Sequence, residues 1–125
     1  MILKDYEKGL IIMGLDFSHT DVRWSYTGFS IFRKKLAKQI GMDLDKMVGF
    51  GGDIPFANFK DDIIPLLDHS DCEGELTVQE CKKVAPRLKE LISNWEDDDF
   101  DKIRAIELAE GMEKAIACEE PLEFW

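Results

Sequence analysis

Thr77 and Glu80 are spaced as a T-x-x-E capping box, and behind them Val78, Cys81, Val84, Leu88, Leu91, Ile92 and Trp95 recur at helical intervals. This pairing leaves the chain little freedom. The threonine hydroxyl and the glutamate carboxylate each satisfy an orphan amide at a helix start, and the stripe needs an apolar surface to lie against. An amphipathic helix opening at residue 78 is therefore the element around which the rest is expected to assemble. Pro86 falls inside the stripe, where it removes one amide and crowds the preceding turn, so a kink between Lys82 and Pro86, or a division there, is expected.

Two further helices follow from spacing. Over residues 24–40, Phe29, Phe32, Leu36 and Ile40 share a face and Gly41 is placed to stop the helix; Arg23, Arg33, Lys34, Lys35 and Lys38 would form a basic strip on its exposed side. Asp97 to Asp99 cap a last helix, whose stripe is predicted to run through Ile103, Ile106, Leu108, Ala109, Met112, Ala115 and Ile116. Between these lie one helical turn over 43–48, a connector marked by Gly49, Gly51, Gly52 and Pro55, and a short buried helix over 59–67, in which Pro65 begins a new turn or kinks the old one. Residues 10–18 read as a strand able to pair with residues 122–125. The predicted class is mainly α, with about four to five helices and a small two-stranded sheet formed by the N- and C-terminal segments.

A chain of 125 residues can bury one core, so residues 13–125 are read as a single domain and 1–12 as an N-terminal extension. Glu7-Lys8-Gly9 would be encoded by purine-rich codons just upstream of Met13, as in a translated ribosome-binding site, which leaves either Met1 or Met13 as the start. The net charge of -10 argues against direct nucleic-acid binding, because a phosphate backbone would meet a repulsive field. Three cysteines, an odd number without a signal-peptide pattern, point to reduced thiols in the cytoplasm. The longest apolar run, Gly9 to Leu15, falls far short of the roughly 20 residues a bilayer requires, so no membrane association is expected.

Ligand-capable side chains concentrate in Asp68-His69-Ser70-Asp71-Cys72-Glu73-Gly74-Glu75-Leu76-Thr77. With Gly74 at the sixth position of a calcium loop, Asp71, Glu73 and Glu80 fall at the third, fifth and twelfth, but His69 falls at the first, where calcium wants a carboxylate oxygen. A softer metal such as zinc could instead take His69, Cys72 and Cys81, with His19, although no close cysteine pair supports it. The same letters also need no metal: Asp71 and Gly74 make a turn, and Thr77 and Glu80 cap a helix. Cys72 beside His69 and Asp71 invites a nucleophile reading, which sequence neighbours rarely satisfy geometrically. Trp24, Tyr26 and Arg33 could line a ligand pocket by stacking and planar hydrogen bonding, or could be core. The run Glu96-Asp97-Asp98-Asp99-Phe100-Asp101, five acids in six residues, could mimic phosphates toward a basic partner or simply solvate a helix start.

Trp24-Ser25-Tyr26-Thr27-Gly28-Phe29 with Phe32-Arg33, the segment from Leu66 to Leu76, and the ending Glu120-Pro121-Leu122-Glu123-Phe124 resemble a family of small bacterial and phage proteins over residues 13–125. The resemblance implies an intracellular bacterial or phage setting and no particular activity. The expected function is a non-catalytic binding or regulatory module that needs no cofactor and takes a protein or small-molecule partner. The alternative is a metal-binding protein or metal-assisted hydrolase using residues 68–80, with calcium as the candidate ion.

Overall fold

The computed structural model describes residues 14–70 and 73–125. In chain order these hold β1 (Gly14–Leu15), β2 (Trp24–Ser25), α1 (Tyr26–Gln39), α2 (Ile64–Leu67), β3 (Gly74–Leu76), α3 (Val78–Ile92), α4 (Phe100–Cys118) and β4 (Leu122–Phe124). Single 3-10 turns at Leu44–Lys46 and Phe56–Asn58 punctuate the connector. The protein is mainly α, as the apolar spacing predicts. No helix among the described residues is long and apolar enough to cross a membrane.

α3 begins with the expected box: the Glu80 amide donates to Thr77 Oγ1 at 3.1 Å and the Thr77 amide to Glu80 Oε1 at 2.9 Å. It buries Cys81, Val84, Ala85, Leu88, Leu91 and Ile92. Pro86 does not divide it. The proline and Lys82, whose carbonyl loses its amide partner, both lie on the exposed side, where water can replace the missing bond. α4 lies along α3 in the most extensive helix pairing of the fold and buries Ala105, Leu108, Ala109, Met112 and Ala115. Those positions keep a strict helical period that excludes Ile103 and Ile106. Both are exposed, so the predicted stripe is corrected there.

α1 starts two residues later than the expected 24–40 span, because Trp24 and Ser25 pair with β1 and the Ser25 hydroxyl accepts from the Gly28 amide as an N-cap. Pro65 opens the single turn of α2. Among the described residues there are two small two-stranded sheets, β1 with β2 and β3 with β4. β4 pairs antiparallel with β3, Glu75 opposite Glu123, so its ladder partner comes from the polar 68–77 segment. The N-terminal segment lies against β4 through a Phe17–Phe124 bridge, flanked by reciprocal Asp16–Trp125 bonds of 3.0 and 2.9 Å. Of the expected strand over 10–18, residues 10–13 lie outside the described residues, as does the whole 1–12 extension. Phe17, Phe29 and Phe124 meet edge-on inside the core at 4.8 to 6.4 Å, sealing the sheet against α1.

Candidate functional site

Arg33 stands four residues after Phe29 and four before Ala37, which puts it on the buried face of α1. It is only 2% exposed, which overturns its predicted place in a basic surface strip. A guanidinium so deep needs acceptors, and the end of α2 supplies them: Nη1 donates to the carbonyls of Leu67, at 3.3 Å, and of His69. The rings of Phe29 and Phe50 bracket the charge at 4.7 and 5.2 Å from their centroids. Above it opens a hollow of about 340 Å³, walled by Ser30, Phe50, Asp68, His69 and Ser70. That volume sits at the lower end of the range of roughly 300 to 1,000 Å³ used for small ligands. Burial raises the Asp68 carboxyl from its ordinary value, against an opposing pull from His69.

His69 holds the turn together. Its Nδ1 lies 2.8 Å from the Ser70 carbonyl and its Nε2 2.9 Å from that of Glu75, while the ring stacks on Phe124 at 3.9 Å. Gly74 makes room for it: with φ at +103°, a side chain there would be strained, and its Cβ would stand 3.1 Å from His69 Cε1. Either ring nitrogen would have to abandon a carbonyl before binding an ion. Glu80 is similarly committed to the capping box, and Glu73 is exposed at the turn. Asp71 and Cys72, named for the calcium, zinc and nucleophile readings, lie outside the described residues. Cys81 is buried, its thiol faces the Leu76 carbonyl at 3.8 Å, and burial pushes it up to about 11, so at neutral pH it is an inert apolar side chain.

The remaining predicted site residues do not join the hollow. Trp24 is buried, stacked on Phe32 at 4.7 Å, and donates from Nε1 to Asp101 at 3.2 Å. Tyr26 packs half-buried against the core. Three acids of the run are paired with cations: Lys35 binds Asp101 at 2.8 Å and Asp99 at 3.5 Å, and Lys102 binds Asp97 at 2.7 Å. Among the described residues, the group whose ligand atoms could hold a metal is His19, Cys118 and Glu120, within 4.8 Å of one another. Only His19 was singled out by the sequence, because about a hundred positions separate it from its neighbours in space. Comparison with protein-family models, with curated proteins and with solved structures returned no match.

Proposed function

We propose that the protein is a non-catalytic binding module of the bacterial or phage-infected cytoplasm, and that the hollow over Arg33 is its ligand seat. The supporting observation is convergence: a nearly buried guanidinium from α1, an aromatic ring from the glycine connector and a carboxyl from the end of α2 border one open space. Three segments distant in sequence meet there. An arginine and an aspartate on the walls of one hollow favour a ligand group that offers an acceptor on one side and a donor on the other. Primary amides and amino-acid zwitterions have that character, whether as free small molecules or as a side chain of a protein partner.

The test is a thermal-shift titration with a panel of primary amides and zwitterionic amino acids. Binding to the folded state raises the melting temperature, by about 2.7 kcal/mol of added stability at a hundredfold excess over Kd. Ser30→Trp, which fills the hollow from its rim, should abolish the shift. A panel without effect, or a shift that persists in Ser30→Trp, would overturn the assignment, and chemical conversion of a bound compound would overturn its non-catalytic part.

A further inference from the structure

The end of α4 makes an unusual surface. His19, at φ 65°, and Glu119, at φ 57°, are the non-glycine residues with left-handed backbones among those described, and they flank the same spot. Such residues carry a conformational cost and persist where the surroundings demand them. At Glu119 the demand is a helix stop: the Glu120 amide closes back onto the Ala115 carbonyl at 3.0 Å, and the chain turns so that Glu120 comes alongside Cys118. The segment carrying His19 is brought in by Gly111, two turns before Cys118 on the same face of α4. A Cβ on Gly111 would meet Thr20 at 2.8 Å, so only glycine lets this segment sit against the helix.

From this geometry we infer a divalent-metal site formed by His19 Nε2, Cys118 Sγ and a Glu120 carboxylate oxygen, suited to zinc or another borderline transition ion. Imidazole nitrogen, thiolate sulfur and carboxylate oxygen are each zinc ligands, and three protein ligands leave a fourth position for water. Without metal, His19 Nε2 and Glu120 Oε1 face each other at 2.8 Å; an ion inserted between them replaces that bond with two stronger ones. The other ring nitrogen, Nδ1, lies 2.7 Å from Ser18 Oγ, the kind of outer partner that fixes the ring and its tautomer when Nε2 binds metal. The last turn of α4 contains no basic residue, so its carbonyl end favours a cation there. Cys118 binds as the thiolate and releases its proton to solvent, which makes affinity rise with pH.

This site is independent of the Arg33 hollow and is tested separately, with cobalt(II) and zinc(II) added to chelator-treated, reduced protein. Cobalt should bind one per chain with a thiolate-to-metal charge-transfer band, and zinc should displace it. Cys118→Ser should remove the band. His19→Asn, a residue that tolerates the left-handed backbone, should lower affinity by roughly tenfold or more, judged by the effects that even outer-shell losses produce. Circular dichroism checks that each variant folds, and Glu120→Gln provides a further ligand variant should one of them fail. Absence of the band in the parent, or a band that survives Cys118→Ser and vanishes in Cys72→Ser, would overturn the site.

Discussion

Asp61 grips Arg87 with both oxygens, Oδ1 to Nε at 2.9 Å and Oδ2 to Nη2 at 2.8 Å, tying the connector to α3. Hydrogen bonds from Arg87 hold its carboxyl below the ordinary value of 3.8, against burial, which pulls the other way. A group with a lowered folded pKa contributes stability above its unfolded value and loses it as pH falls through the folded one. Asp61→Asn should therefore cost about 1 kcal/mol or less at neutral pH, the pair being partly exposed, with the difference from the parent starting to shrink as pH falls to 3.8 and lost only below the lower folded value. Urea unfolding of both proteins at pH 7 and near pH 3 measures this, and a difference independent of pH would contradict it. Arg33 shows what a single residue's type conceals. Its spacing from Phe29 and Ala37 already placed it on the inner face of α1, but a charged side chain among lysines reads as surface, and the acceptors at Leu67 and His69 that make burial tolerable belong to another element.

At the level of elements, local signals were legible wherever they were also self-sufficient. The α3 cap and stripe lie within one stretch of chain, so Thr77, Glu80, Leu88 and Leu91 stand as the sequence placed them. Leu88 is fully buried on α3, and Leu88→Ala should cost about 2 to 5 kcal/mol by chemical denaturation. A loss below about half a kilocalorie, as at a surface site, would mean that α3 presents a different face. α4 is less legible because it is apolar on more than one side: Ala105 is fully buried, whereas the larger Ile103 and Ile106 face outward. Spacing ranks positions, but residue size does not say which of two apolar faces packs. β4 was anticipated as a strand, yet its ladder partner β3 lies in a segment whose polar letters looked like a site rather than a strand.

For the whole molecule, the 68–77 turn has two roles. Its inner side supplies β3 and the His69 stack on Phe124, which join the C-terminal strand to the core; its outer side borders the hollow. That hollow was half legible. Arg33, His69 and the segment opening at Asp68 all stand out in the sequence as ligand-capable, but Ser30 and Phe50 join them only through the packing of α1, the connector and α2, a long-range contact pattern that no local spacing encodes. The same holds for His19 and Glu120, brought together by the Schellman turn after α4 and the glycine beneath Thr20. The most direct test of the account is an amide chemical-shift map of the labelled protein titrated with the compound giving the largest thermal shift. The account predicts perturbations confined to residues 30–33, 48–50 and 68–70, and absent from Ser30→Trp. Perturbations centred instead on the end of α4, or spread over its exposed Phe100 and Ile103 face, would contradict it.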